Sequence, residues 1–256
     1  MLKAKAIILP IKGLILSGDS SPAGPIPLLP FGGQNATFSE EVVKFLKRIE
    51  TNKRIRAIIF QIDSPGGTPY ASKEIADAIK KLKIATIALI REYGTSGAYW
   101  IASSCNKIVA DPLSSIGGIG TRADRLDFSE LAKKIGVKVD TFFKGEYKGM
   151  GSPYTEPSEK EKSFIEEQVS KFNEYFVEEI KKNRNITDDK ILANVTSGRP
   201  YLGKEALELG LIDYLGDEEL AVKTASNIAG VELKAVHLKI GKSRESLATR
   251  FLKRFL

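Results

Sequence analysis

Two periods of apolar and polar positions alternate along the chain. Apolar, β-rich runs at Ala6–Leu16, Ile55–Ile62, Ile84–Ile90, Lys107–Ala110, Val137–Phe143, Leu211–Tyr214 and Val231–Ile240 predict strands. Helical spacing lies between them. Ser39 and Glu40 open a stretch with Val42, Val43, Leu46 and Ile49 on one face, and Ile75, Ala76, Ile79 and Leu82 repeat it. A long charged helix is predicted from Glu156 to Arg184, burying Phe164, Ile165, Val169, Phe172, Phe176, Val177 and Ile180. Strands alternating with helices imply an α/β fold with mostly parallel strands and right-handed crossovers. With no fixed-period repeat and no dividing linker, one compact domain over residues 1–256 is expected.

Three stretches break the pattern. Residues Asp19–Gly33 are rich in proline, and their apolar part, Pro25–Gly33, is a candidate contact for a membrane, a hydrophobic substrate or a neighbouring subunit. Residues Lys144–Thr155 form a glycine-rich loop ahead of the long helix, a common location for function in a compact fold. The tail Ser243–Leu256 sets Leu247, Phe251, Leu252 and Phe255 against Arg244, Arg250, Lys253 and Arg254. Such a basic amphipathic helix suits either an anionic membrane or a subunit contact.

Composition narrows the chemistry. At 256 residues and 42% hydrophobic, the chain has the make-up of a packed globular protein, not of a disordered or low-complexity one. One cysteine, Cys105, excludes an internal disulfide framework and a Cys-rich zinc site, and the single His237 removes most histidine chemistry. The net charge of +7 suits solubility and tolerates an anionic membrane surface. Lysine alternates with glutamate along the helices, without aromatic clustering, which argues against nucleic-acid binding. Abundant Lys and Glu with one Cys and two Met resemble a thermophile's composition. No apolar run reaches the roughly 18 residues of a membrane span, and no leader pattern is present. A soluble chain is expected, cytoplasmic or held at a membrane by its surface.

Three glycine segments follow predicted strand ends. In Asp63-Ser64-Pro65-Gly66-Gly67 the proline fixes φ and the glycines let backbone N–H groups face outward, as an anion or oxyanion site requires; a plain strand-to-helix turn reads the same way. In Gly94-Thr95-Ser96-Gly97-Ala98, Ser96 is either an activated nucleophile with the Gly97 N–H beside it or simply a helix cap. Ser114–Gly120 lacks the P-loop lysine and the dinucleotide spacing, and Ile116, Gly117, Gly118 and Ile119 suit a groove for an extended peptide. A serine nucleophile needs a base. His237 sits on a late strand away from any such turn, whereas the glycine-rich loop offers Lys144 and Lys148. A base lysine must be kept neutral by burial, for which Phe143, Tyr147 and Met150 are the nearest apolar residues.

Together these segments resemble the signal peptide peptidase A (SppA) family of Ser–Lys peptidases, which have the Clp protease/crotonase-like fold of repeated ββα units. The resemblance rests on DSPGG at 63–67, GTSGAYWIAS at 94–103, the aspartate-proline and SSIGGIG stretch at 111–120, FFKGEYKGMGSP at 142–153 and SGRPYLGKEALELGLID at 197–213, covering about residues 5–230. It implies Ser96 as nucleophile, Lys148 as general base and oxyanion donors at Gly66, Gly67 and Gly97, with no metal or cofactor. It also implies hydrophobic peptides such as remnant signal peptides as substrates. Homo-oligomeric bowls or domes, octamers among them, and membrane association follow from the same resemblance. Two other readings share the residues: a crotonase-like acyl-CoA enzyme holding a thioester oxyanion, and an inactive membrane-associated scaffold.

Overall fold

The computed structural model describes residues 4–18 and 36–238. The proline-rich loop Asp19–Gly33 and the basic tail Ser243–Leu256 lie outside the described residues. The described chain divides into two compact units, residues 1–120 with 177–256, and residues 121–176.

The first unit is built on a sheet. Strands β1 (Lys5–Leu16), β2 (Ala36–Phe38), β3 (Ile55–Gly67), β4 (Ala85–Thr95) and β5 (Lys107–Ala110) are followed by the short β6 (Ser115–Gly117), β7 (Pro200–Leu202), β8 (Tyr214–Leu215) and β9 (Lys234–His237). The spatial order is β2-β1-β3-β4-β5-β8, with β9 on β1 and β6 bridging β4 to β7. Pairing is parallel except between β6 and β7. The α/β reading and its parallel sheet therefore hold.

Helices α1 (Ser39–Ile49), α2 (Pro69–Lys81) and α3 (Gly97–Ser103) each follow a strand and lead to the next along the order β1, β3, β4, β5. Right-handed crossovers advancing in one direction put all three on the same face. The other face carries α8 (Glu218–Ala229), whose Ala221 and Ala225 pack on Ala6, Ile8, Ala57, Ile59, Ile87, Leu89 and Val109. Strand residues of the opposite parity, among them Ile7, Leu9, Ile58 and Phe60, are also fully buried. A sheet covered on both faces reads as continuous apolar runs, which is why the central strands were so plain in the sequence.

Pro10 lies inside β1, where a missing N–H usually breaks a ladder. On that edge β9 pairs only with Lys5–Ile8 and β2 only with Leu14–Leu16, so Pro10 falls in the gap between them. Thr37 Oγ1 spans part of the gap, accepting from Lys12 N at 2.8 Å and donating to Lys12 O at 2.9 Å.

The end of the long helix α5 (Glu159–Arg184) within this unit is fastened by charge. Arg184 contacts Asp213 at 3.0 Å and donates to the Gly210 carbonyl, while Lys107 contacts the other oxygen of Asp213 at 2.9 Å and the Ile108 N–H donates to the carboxylate at 2.8 Å. Burial pushes the Asp213 carboxyl up, but the Arg184 charge and these hydrogen bonds outweigh it and hold the group below the ordinary carboxylate range. Short helices α6 (Asp189–Val195) and α7 (Gly203–Glu208) complete the unit.

The second unit contains α4 (Ser129–Lys134), the start of α5 and the glycine-rich loop. Two expectations fail here. Val137–Phe143 forms no strand; its alternation is strand-like, but among the described residues no sheet edge pairs with it, and a strand without a partner is not stable. Phe142 is instead 94% exposed. The apolar stripe of α5 is buried at Phe176 and Ile180 but exposed at Phe164 and Phe172.

Candidate active site

The three glycine segments meet in the first unit, at the carboxyl ends of parallel strands. Ser64 on β3 is in register with Gly94 on β4, Gly94 with Ile116 on β6, and Thr95 with Gly117. β3 runs on through the DSPGG segment because Leu14 and Ile15 of β1 pair with Gly66 and Gly67.

Ser96 sits between the end of β4 and the start of α3 with φ 53° and ψ −127°. For a non-glycine residue this is strained backbone, of the kind that sharp strand-to-helix turns impose on nucleophiles. The main chain holds it: the Ser96 N–H donates to the Gly117 carbonyl at 2.7 Å, and the Ser96 carbonyl accepts from Trp100 N at 3.0 Å. Its hydroxyl makes no cap hydrogen bond to α3. The plain helix-cap reading therefore lacks the interaction that defines it.

Glycine is required around Ser96 by close approach. A β-carbon on Gly97 would lie 2.1 Å from Ser72 Oγ and 3.4 Å from the Gly67 nitrogen. Gly117 and Gly118 have φ of 90° and 56°, the left-handed region that lets this turn present the Gly117 carbonyl to Ser96.

The three candidate oxyanion glycines are not equivalent. The Gly66 N–H donates to Ser64 Oγ at 3.1 Å, and Ser64 Oγ donates to the Gly13 carbonyl at 2.6 Å. Ser64 and Ser72, both fully buried, are the supporting residues that the sequence reading passed over. Their small size within DSPGG and just beyond it was the available signal. Beneath α3, the Tyr99 hydroxyl donates to the Leu211 carbonyl at 2.7 Å, and burial raises its pKa. Burial likewise pushes the Cys105 thiol up, leaving it inert.

The segment Ile116–Ile119, expected to suit a groove, lies against the sheet. Ile116 and Ile119 are fully buried, so their side chains line no open groove. Their backbone is also occupied: β6 pairs on both sides, Gly118 N donates to Arg199 O at 3.2 Å, and Gly198 N donates to Ile119 O at 3.0 Å. Residues 198–202 thus lie along the outer edge of β6.

His237 lies far from Ser96. It is in register with Ile8, Ile8 with Ile59, and Ile59 with Ile87. Ser96 stands nine residues beyond Ile87, roughly 30 Å along a strand. His237 meets Glu218 at 2.9 Å instead.

Lys144 and Lys148 belong to the second unit and both are exposed. Within the second unit Phe143 and Tyr147 are about half exposed. Phe143 closes on Gly149, where a β-carbon would meet its ring at 2.6 Å. Tyr147 packs on Phe164, ring centroids 5.5 Å apart.

A serine on a strained turn, flanked by glycine amides at the carboxyl edge of a parallel sheet, is the layout of a hydrolase that works through backbone donors. Comparison with known proteins agrees. Residues 78–232 match peptidase family S49, and the chain belongs to that family, as an SppA-like member. It is 36% identical over 180 residues to a protein of Enterococcus faecium named as a signal peptide peptidase SppA, covering 69% of this chain and 52% of that one. It is 29% identical over 191 residues to a protein of Methanocaldococcus jannaschii named as a protease, covering 74% of this chain and 61% of that one. The chain thus spans little more than half the length of these two relatives. In fold it is similar to a solved membrane-bound stomatin-specific protease, a lysine-to-alanine variant in complex with a substrate peptide, at a TM-score of 0.56 and 16% identity over the whole of both chains. These neighbours confirm the Clp protease/crotonase-like α/β architecture.

Proposed function

We propose that this chain is a serine endopeptidase in which Ser96 is the nucleophile and Lys148 the general base. The observation that carries the reading is Ser96 itself, strained at φ 53°, held by its backbone and free of a cap bond. Neutral Lys148 accepts the Ser96 hydroxyl proton as Oγ bonds to a peptide carbonyl carbon. The carbonyl π electrons move onto oxygen, where backbone N–H groups stabilise the charge. The C–N bond then breaks, the amine leaves with the proton from Lys148, and water hydrolyses the acyl-enzyme by the reverse sequence.

The donors in this reading are Gly67 and Gly97, with the Gly66 N–H committed to Ser64. Gly66 contributes the close approach instead. Hydrophobic peptides, remnant signal peptides among them, are the proposed substrates, in line with the name of the Enterococcus relative. The exposed Lys148, with Phe142 and Phe143 nearby in sequence, supports a homo-oligomer in which a second copy covers the lysine. No described helix is long and apolar enough to cross a membrane, and the proposal puts the peptidase at a membrane surface or in the cytoplasm.

The test is cleavage of a fluorogenic hydrophobic peptide between pH 6 and 10. Ser96→Ala and Lys148→Ala are expected to lose activity by at least about 10³-fold, while Lys144→Ala and His237→Gln stay near wild type. Activity retained by Lys148→Ala removes lysine 148 as the base.

A further inference from the structure

The loop that carries Lys148 is pinned on both sides within the second unit. Before the lysine, Glu146 pairs with Lys160 and Tyr147 packs on Phe164, with the Lys160 ammonium 5.2 Å from the Tyr147 ring centre. After it, residues 151, 152, 153 and 155 are each tied. The Gly151 N–H donates to Glu161 Oε1 at 2.8 Å. One terminal nitrogen of Arg125 donates to the carbonyls of Ser152 and Thr155, and the Phe128 N–H donates to the Pro153 carbonyl at 2.6 Å. Lys148 itself lies in a turn closed by Lys148 N to Gly145 O at 3.1 Å and Met150 N to Tyr147 O at 3.3 Å.

Two of these anchors are charged, one buried and one mostly buried. Arg125 Nε lies 3.3 Å from Glu161 Oε1 as an ion pair, and their side chains are only 16% and 8% exposed. A second contact joins Arg125 to Asp127, whose carboxyl is held below its ordinary range chiefly by hydrogen bonds from Ser129, and then by Arg125. Replacing such a pair by apolar residues of similar size commonly leaves stability unchanged or raises it, so stability alone does not account for keeping it here. What the pair adds is direction. One guanidinium nitrogen holds two carbonyls of the strap while the same guanidinium lies against the Glu161 carboxylate, and that carboxylate fixes the Gly151 amide three residues after Lys148.

We propose that Arg125 and Glu161 are positioning residues for Lys148, holding the 151–155 strap so that the lysine is presented in one geometry. This rests on Lys148 being the general base. Neither residue touches substrate in this proposal; they act through the backbone of the loop.

The test uses the full chain and the same fluorogenic peptide, with kcat, KM, the pH profile and melting temperature measured together. Arg125→Met and Glu161→Gln are expected to lower kcat about 10- to 100-fold, the cost of a misplacement on the order of 1 Å, with KM changed less than about threefold. Relative to Arg125→Met, Arg125→Lys restores part of kcat, since a lysine ammonium can reach the Ser152 and Thr155 carbonyls but cannot at the same time contact Asp127 and Glu161 as the guanidinium does. The double variant Arg125→Met/Glu161→Leu separates the roles: melting temperature returns toward wild type while kcat stays low. If kcat recovers together with melting temperature, or if the single variants keep wild-type kcat while Lys148→Ala is inactive, the positioning role is overturned. An active Lys148→Ala overturns the base assignment instead, and the positioning role with it.

Discussion

A β-carbon on Gly66 would stand 2.8 Å from the amide nitrogen of Gly97 and 2.9 Å from the β-carbon of Ser96. The end of β3 and the turn after β4 are thus in backbone contact, and the candidate nucleophile is located by main chain against main chain. Gly66 also has φ 105°, a conformation that L-residues rarely adopt.

Gly66→Ala should therefore act on both fold and site. Strain and overpacking together cost about 2–4 kcal/mol, and displacement of the Gly97 amide lowers kcat by at least about 100-fold. Urea melts and peptide cleavage on the same sample check this. A variant with near wild-type stability and activity would show that the two turns do not touch as described.

Ser96 carries strain that does not depend on its hydroxyl. Ser96→Gly is expected to be more stable than Ser96→Ala by about 1 kcal/mol, because glycine adopts φ 53° without steric conflict while alanine does not. Both lack activity. The comparison separates backbone strain from nucleophile chemistry, and equal melting temperatures for the two would refute the strain.

Asp213 supplies a pH dependence. Its carboxyl is depressed in the folded state, so the stability it contributes is present above the unfolded value near 3.9 and is lost as pH falls through the lower folded value. Asp213→Asn leaves Arg184 and Lys107 without their carboxylate and is expected to cost about 3 kcal/mol at pH 7, the low end for a pair partly reached by solvent. Wild type should lose that advantage in acid. The gap between the two unfolding free energies shrinks from pH 7 to pH 3 in chemical melts; a gap independent of pH would mean that the carboxyl is not depressed.

How far the sequence carried the reading depended on whether a segment's partners lie in the first unit. Ile55–Ile62 and Ile84–Ile90 were legible because strands buried on both faces are apolar throughout. The glycine segments were legible because close approach admits no other residue at Gly66 or Gly97. Val137–Phe143 misled because alternation records only that one face is apolar, not that a sheet edge is there to receive it. Helix α8 went unread although Asp217 accepts from Leu220 N at its start and Gly230 closes it with φ 65°. Its buried side consists largely of small residues, Ala221 and Ala225, which give a weak apolar stripe. The burial of Ile116 and Ile119 was not legible because the residues that pair beside them, 198–202, come some eighty positions later.

The Gly117 carbonyl and the Trp100 amide grip the peptide groups of residue 96, and its hydroxyl makes no cap bond to α3. That position is an exchangeable socket: its occupant can be swapped for a thiol, or acylated by a covalent probe, without disturbing a hydrogen bond that supports the sheet.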